Sequence, residues 1–296
     1  MPPLPLKLLF ILNPLSGNQR TDDWERDIHD FFLNSEHTIY FYYLSSQDNE
    51  SSLKKEISKI NPQYVIAVGG DGTVSLVAKT IKGSNMAMGI LPAGSANGMA
   101  KELDIPLDVH AALKILQYGE VRKTDMIKVN DEISLHLSDV GMNAELVKYF
   151  EEGNRRGKLG YAKVLLKVLF RRRYLQVYVE TDNMIVQRKA IVVILANASK
   201  YGFGAVINPG GNLHDGLFEV VIVRRLAVSE LFKMWFRPQP FNPKKIEIVK
   251  AKSVEIEMKH KAHFQVDGEY LGKVNRVKAN VLPGILNLIL PAIKKV

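Results

Sequence analysis

The residues best suited to chemistry lie in Gly69-Gly70-Asp71-Gly72-Thr73-Val74-Ser75. An apolar run, Tyr64–Val68, leads into them, and a helical pattern, Val74–Ile81, leads out. Backbone N–H groups at a strand-to-helix turn, with the helix N-terminus, form an anion site. Glycines let the backbone approach phosphate oxygens with no Cβ in the way. Gly70-x-Gly72-x-x-Ser75 is only a near match to a dinucleotide fingerprint. The carboxylate of Asp71 argues against that reading, because an acid beside phosphate is unfavourable unless a metal or a transferred proton compensates it. The turn therefore points to a Mg2+-bound nucleotide with phosphoryl transfer beside Asp71. The competing reading is a plain strand–turn–helix with Asp71 as helix N-cap.

Other polar residues sit at comparable places. Asn13-Pro14-Leu15-Ser16-Gly17 follows the first apolar run, at the strand ends where such sheets bind ligands. Ser95 and Asn97, in Leu91-Pro92-Ala93-Gly94-Ser95-Ala96-Asn97, offer a hydroxyl and an amide to phosphate or ribose. Asp215-Gly216 and Asp267-Gly268 read as turns between strands. Gly153 to Leu159 is one residue short of a Walker A loop and lacks its Ser/Thr. No zinc spacing or nucleophile elbow occurs.

The elements that must position these residues change character near Thr124. Before it, Leu8–Leu12, Thr38–Leu44, Tyr64–Val68 and Met88–Leu91 read as strands. Asp22–Leu33, Ser51–Ile60 and Val74–Ile81 read as helices between them. This βαβα order predicts a three-layer α/β domain with a parallel sheet, residues 1–125, to which a tail of about 281–296 returns. After it, Asp125–Val129, Ile133–Val140, Leu175–Thr181, Ile185–Leu195, Leu217–Val223, Lys245–Val249 and Ser253–Met258 read as strands. They predict an antiparallel all-β sandwich over 126–280. A helical insert, Ala144–Phe170, and a short helix, Ser229–Phe236, interrupt it.

Composition narrows the function classes. The 296 residues contain no cysteine, which excludes disulfides, thiolate metal sites and cysteine nucleophiles. Net charge is +9, drawing the chain to nucleotide phosphates, nucleic acid or an anionic membrane. Eight of the 40 basic residues fall within 155–173, where Lys163, Lys167 and Arg171 recur every four residues. That segment reads as a core helix with a solvated lysine stripe or as an interfacial helix on anionic lipid. Neither a signal peptide nor an apolar stretch of spanning length is expected, and no basic aromatic groove suggests nucleic acid.

Taken in order, the motifs resemble the diacylglycerol kinase catalytic-domain superfamily, which includes bacterial lipid kinases and sphingosine and ceramide kinases. Asn13–Gly17, Gly69–Thr73, Pro92–Asn97, Leu213-His214-Asp215-Gly216-Leu217 and Val266-Asp267-Gly268-Glu269 carry the resemblance, over roughly Leu8 to Leu290. The family fold matches the two domains predicted above. The resemblance implies an ATP-dependent lipid kinase using Mg2+, cytoplasmic and peripheral to an anionic membrane, acting on diacylglycerol or a sphingoid-like lipid. It implies that Asn13, Ser45, Gly69, Gly70, Asp71, Gly72, Thr73, Val74, Ser75, Ser95 and Asn97 form the ATP site. It places Mg2+ on the Asp215 carboxylate and the carbonyls of Asn212 and Leu217, with Asp125 a further ligand. It makes Glu269 the general base, with Asp71 as rival. Asn18, Leu76 and Gly98 depart from the bacterial pattern. They keep open a non-catalytic lipid- or nucleotide-binding regulator, and the shared Gly-Gly-Asp-Gly-Thr loop keeps open an NAD kinase, against which the Asp-Gly-Glu motif speaks. A homodimer is left open as well.

Overall fold

The computed structural model describes residues 5–16, 21–142, 144, 174–201, 204–236 and 240–292. Two compact units emerge, Met1–Thr124 with Gly284–Val296, and Asp125–Pro283.

The first unit alternates β1 (Lys7–Leu12), α1 (Thr21–Phe32), β2 (Thr38–Tyr43), α2 (Glu50–Ile60), β3 (Tyr64–Gly69), α3 (Asp71–Ile81) and β4 (Ala87–Pro92). Two helices follow, α4 (Gly98–Glu102) and α5 (Val109–Tyr118). The strands pair in parallel in the order β4-β3-β1-β2. The chain returns at its far end, where Asn287 and Leu288 pair in parallel with Ala87 and Met88. β1, β3 and β4 are continuous apolar runs because both faces of the sheet are covered. β2 lies at the edge and is only half-buried. From β1 the chain steps outward to β2, then reverses through β3 to β4. Right-handed crossovers therefore put α1 on one face and α2 and α3 on the other. The contacts agree: α1 packs with α5, and α2 with α3. Trp24, Ile28 and Phe32, at helical spacing, carry the buried stripe of α1.

This reversal of strand order falls between β1 and β3. In open α/β sheets ligands bind outside the strand carboxyl ends at such a switch point. The segments that leave these two strands are Asn13–Ser16 and Gly70 with the first turn of α3.

The second unit is antiparallel throughout. It takes in the end of β5 (Glu120–Val129), β6 (Glu132–Ser134), β7 (Leu137–Gly141), β8 (Leu175–Thr181), β9 (Ile185–Ala190), β10 (Val192–Ala196), β11 (Lys200–Tyr201) and β12 (Ala205–Val206). After them come β13 (Phe218–Val223), a helix, α6 (Val228–Phe236), β14 (Ile246–Ala251), β15 (Ser253–Val266) and β16 (Glu269–Leu290). The strand order is β14-β13-β10-β7-β15-β16, with β8 on β15 and β9 on β8. β15 changes partner along its length: Val254–Met258 face β8, and Phe264–Val266 face β7. An irregularity between Glu257 and Ala262 makes the bend, the device by which one strand serves two layers of a sandwich. Ile127, Val140, Val177, Val193, Phe218, Val254, Phe264 and Val277 pack together inside.

Expected elements shift in instructive ways. The run expected over Ile133–Val140 is two strands. The backbone N–H groups at the break, Leu135, His136 and Leu137, all donate to the Asp267 carboxylate. The Ser134 hydroxyl donates to it too, at 2.7 Å. Asp267 and Gly268 both take positive φ, +48° and +90°, in a two-residue turn joining β15 to β16. The run over Ile185–Leu195 also divides, because β9 pairs with β8 while β10 pairs with β7 and β13. The strands expected as Leu217–Val223, Lys245–Val249 and Ser253–Met258 are Phe218–Val223, Ile246–Ala251 and the much longer Ser253–Val266. The expected insert Ala144–Phe170 and the basic stretch 155–173 lie outside the described residues, apart from Ala144.

Removing the Asp267 carboxylate leaves four donors to be satisfied by other means. Asp267→Ala is expected to lower stability by about 3 kcal/mol, seen as an earlier urea midpoint. An unchanged midpoint would show that the loop 134–137 holds itself.

Candidate functional site

Two glycine turns meet at the switch point of the first unit. A Cβ on Gly94 would lie 2.4 Å from the Gly70 Cα, so the turns touch backbone to backbone. A Cβ on Gly69 would lie 2.3 Å from the Thr73 hydroxyl oxygen. The Ala93 N–H donates to the Gly69 carbonyl at 2.9 Å. The Asn97 side chain closes its own turn, accepting from the Gly94 N–H and donating to the Gly94 carbonyl, both at 2.8 Å. Asn13 reaches over from the first loop, its Nδ2 donating to Thr73 Oγ1 at 3.1 Å.

α3 begins at Asp71, three residues before the sequence pattern suggests, so the glycine motif is largely the helix's first turn. Its N-cap, Gly70, supplies no side-chain bond. The first intrahelical bond runs from Val74 N to the Gly70 carbonyl. The N–H groups of Asp71, Gly72 and Thr73 thus precede any helical partner, the usual source of anion affinity at a helix start. Asp71 does not cap its own helix. Its carboxylate accepts the Gly98 N–H at 3.0 Å and the Met99 N–H at 2.9 Å, capping α4 instead. Two N–H dipoles thus meet the Asp71 charge within the protein.

The expected ATP residues therefore separate by exposure. Gly69, Thr73, Val74, Ser75 and Asn97 are buried and build the walls. Gly72 and Ser95 are exposed, and Gly70 and Asp71 are half-buried. No atom lies within 4 Å of a Cβ placed on Gly72, so its outer face is open. Ser45 is engaged elsewhere. Its N–H and hydroxyl both donate to Asp48, at 2.7 and 2.9 Å. Tyr42 and Ser52 add their hydroxyls, each at 2.8 Å. The Ser45 N–H is the largest influence holding the Asp48 carboxyl at about 2; burial opposes it, and the three hydroxyls assist.

The residues assigned to Mg2+ lie in the second unit. Asp125 is buried and secures the loop 212–217. Its N–H donates to the Leu213 carbonyl at 2.8 Å, and its Oδ2 accepts the Gly216 N–H at 2.7 Å. Asp215 Oδ1 accepts the Leu217 N–H at 3.1 Å, and its Oδ2 pairs with Lys250 Nζ at 3.0 Å. Asn212 Oδ1 accepts the His214 N–H. The same Lys250 ammonium stands 3.6 Å from Glu219 Oε1, and Asn208 Nδ2 donates to Glu219 Oε2 at 2.6 Å. Burial pushes the Glu219 carboxyl up, against the pull of Asn208 and Lys250. Lys250 is thus the cation at Asp215, and donors already take both Asp215 oxygens. A divalent ion held by the Asp215 carboxylate and the carbonyls of Asn212 and Leu217 would compete with Lys250 for Asp215 Oδ2. Among the described residues no group of three or more His, Asp or Glu side chains gathers to hold one.

Glu269 is exposed at the first position of β16, directly after the turn that Asp267 fixes. Beneath that turn Gln265 donates from Nε2 to Asp139, and its Oε1 accepts the Gly268 N–H at 2.7 Å. Sequence reading did not single out Asp48, Asp139, Glu219, Lys250 or Gln265. Only Asp48 had a local signal, the Ser-x-x-Asp spacing from Ser45, which favours a side-chain-bonded turn.

The chain joins a parallel α/β unit, with two glycine turns at its switch point, to an antiparallel β unit, a two-domain α/β-plus-β class of protein. Comparison with known proteins specifies it. Residues 7–129 match the model for the diacylglycerol kinase catalytic domain. Residues 138–290 match the YegS C-terminal NAD kinase beta sandwich-like domain. A probable lipid kinase YegS-like from Klebsiella pneumoniae (strain 342) is 31% identical over 80% of this chain and 80% of that protein. A diacylglycerol kinase from Staphylococcus haemolyticus (strain JCSC1435) is 27% identical over 90% of this chain and 82% of that protein. The crystal structure of a diacylglycerol kinase from Bacillus anthracis str. Sterne shares the fold with a TM-score of 0.77, at 19% identity over 96% of each chain. The chain belongs to the diacylglycerol kinase-like lipid kinase family.

Two measurements probe these clusters. The Asp48 carboxyl is held near 2, below its unfolded value of about 3.9. Its stabilisation is therefore fully present above the unfolded value and lost as pH falls toward 2. The stability gap between wild type and Asp48→Asn should be constant near neutrality and close through that acid window. A gap that stays flat across it would remove Asp48 from the loop's support. Lys250→Met should cost about 1–2 kcal/mol, since Lys250 is half exposed but leaves the buried Glu219 without its cation. Millimolar Mg2+ should raise the melting temperature of that variant and leave the wild type unmoved. A Mg2+-dependent rise in the wild type without nucleotide would contradict the cation role of Lys250.

Proposed function

We propose that this chain is an ATP-dependent lipid kinase that transfers the γ-phosphoryl group to a lipid hydroxyl, with diacylglycerol as the first acceptor to test. The observation that carries the reading is the uncapped start of α3 at the switch point, in a chain of the lipid kinase family. In this reading the first-turn N–H groups and the open face of Gly72 receive the ATP phosphates. Mg2+ enters as part of the substrate, Mg·ATP. The lipid oxygen attacks the γ-phosphorus, the bond to the β–γ bridging oxygen breaks, and ADP leaves. The hydroxyl proton passes to the Glu269 carboxylate. Glu269 suits that role because it is exposed on a fixed turn. Asp71 is better read as a positioning residue, because both its oxygens already accept N–H groups. Phosphoryl transfer depends chiefly on such positioning and on neutralising charge.

The test offers labelled ATP and Mg2+ to the purified chain with diacylglycerol, a sphingoid base or NAD as acceptor. Label is expected in the lipid product. Gly72→Ala should weaken ATP binding about tenfold, or 1.4 kcal/mol, with an unchanged melting temperature. Glu269→Gln should lower kcat by about 10²–10⁴ and leave ATP binding intact. Label in NAD alone would favour the NAD kinase alternative. ATP binding without transfer to any lipid would favour a regulator.

A further inference from the structure

On α6, Phe232, Trp235 and Phe236 stand at i, i+3 and i+4 and share one face. They are 56%, 53% and 75% exposed, and the Phe232 and Phe236 rings touch, with centroids 5.1 Å apart. Exposure of three aromatics on so short a helix calls for an explanation.

The helix cannot roll to hide them, because its inner face is fixed. Met234 and Leu231 pack on the cluster of Val192, Ile194, Val221 and Phe241. Glu230 is 1% exposed and lies between Lys245 Nζ at 3.0 Å and Lys233 Nζ at 3.3 Å. Burial alone would raise the Glu230 carboxyl. Bonds from Lys245, the Asn242 N–H, Lys233 and Ser229 outweigh it and hold the group at about 2. It therefore remains a charged anchor.

The surroundings are cationic. The described residues of 224–245 carry five basic side chains, Arg224, Arg225, Lys233, Lys244 and Lys245, against one carboxylate, Glu230. That carboxylate is beneath the helix, not on its surface. Arg224 and Arg225 both donate their N–H groups to the Lys245 carbonyl, which gathers basic residues at the base of α6. Arg225 and Lys244 are exposed.

We propose that the aromatic face of α6 docks this chain on a membrane, its rings entering the interfacial layer of an anionic bilayer while the flanking cations meet lipid headgroups. Trp and Phe favour that layer, and basic residues beside them add attraction to anionic lipid. A second copy of the chain fits less well, since its own cations would oppose these. No helix among the described residues is long and apolar enough to cross a membrane. The inference deepens the lipid kinase reading and rests on it for the nature of the partner.

The chain contains two tryptophans, and Trp24 is buried in α1. Trp24→Phe therefore leaves Trp235 as the sole indole reporter. With phosphatidylcholine vesicles containing phosphatidylglycerol, its emission should shift to the blue and be quenched by brominated lipid. Phosphatidylcholine alone should give a much weaker response. Phe232→Ser/Trp235→Ser/Phe236→Ser should cosediment with the anionic vesicles at least about tenfold more weakly, with circular dichroism unchanged. Arg225→Glu/Lys244→Glu should lose most of the preference for anionic vesicles even if the triple variant folds poorly. Unchanged Trp235 emission, or equal cosedimentation of the triple variant, would overturn the proposal. So would a dimer in sedimentation velocity that the triple variant dissolves. A water-soluble short-chain diacylglycerol separates this inference from the kinase reading. If Trp235 inserts but no lipid is phosphorylated, docking stands and the kinase reading fails. If the triple variant phosphorylates vesicle-borne lipid as well as wild type does, docking fails and the kinase reading stands.

Discussion

The Asp71 carboxylate accepts two backbone N–H groups, from Gly98 and Met99, and the first unit's glycine turns are tied together by that bridge. It joins the start of α3 to the start of α4. Beside it the Gly69-Gly70 turn lies against the Ala93-Gly94 turn so closely that a Cβ on Gly94 would stand 2.4 Å from the Gly70 Cα. It also turns the Asp71 side chain away from its own helix, whose N-cap, Gly70, supplies no side-chain bond to the first N–H groups. A carboxylate in a phosphate loop looks electrostatically misplaced until its partners are known. Here its charge is spent on donors that would otherwise be orphans at a second helix start.

The second unit repeats the device with different residues. Asp267 draws in the N–H groups of residues 135–137, and Asp125 draws in the N–H of Gly216. In each case one carboxylate converts an irregular stretch into a fixed loop, and a candidate functional residue sits at its edge. Glu269 follows the turn fixed by Asp267, and Asp215 precedes the glycine held by Asp125. The acids that resemble catalytic ligands in sequence thus divide into those that shape the loops and those that those loops present.

Sequence made the first unit's strands legible because β1, β3 and β4 are apolar without interruption, as strands covered on both faces must be. It obscured the start of α3, since glycines and an aspartate look like a turn even when they form the first helical turn. α4 and α5 went unread, although Asp108 caps α5 through the Ala111 N–H. In the second unit the exposed face of β15 carries Glu255, Glu257, Lys259 and Lys261, and β16 contains Gly272, Pro283 and Gly284. Charge and turn residues masked two of the longest strands. The strongest tertiary contacts had no local signal at all. Asp267 and the 135–137 loop are about 130 residues apart in the chain, and Lys250 reaches Asp215 across 35.

The positive charge is likewise informative only once it is placed. A net charge of +9 attracts any polyanion, and phosphate binding at a helix start needs little of it, because N–H dipoles do much of that work. Lys250 is used up on Asp215, and Arg276 and Lys278 on Glu255. Around α6 the balance differs: the one carboxylate, Glu230, is buried, and two exposed cations, Arg225 and Lys244, keep company with three exposed rings. A soluble partner would need to supply both acidic groups and a deep apolar layer at one surface. An anionic bilayer supplies the two in the same order, headgroups first and hydrocarbon next, which matches the order of cations and aromatic rings here.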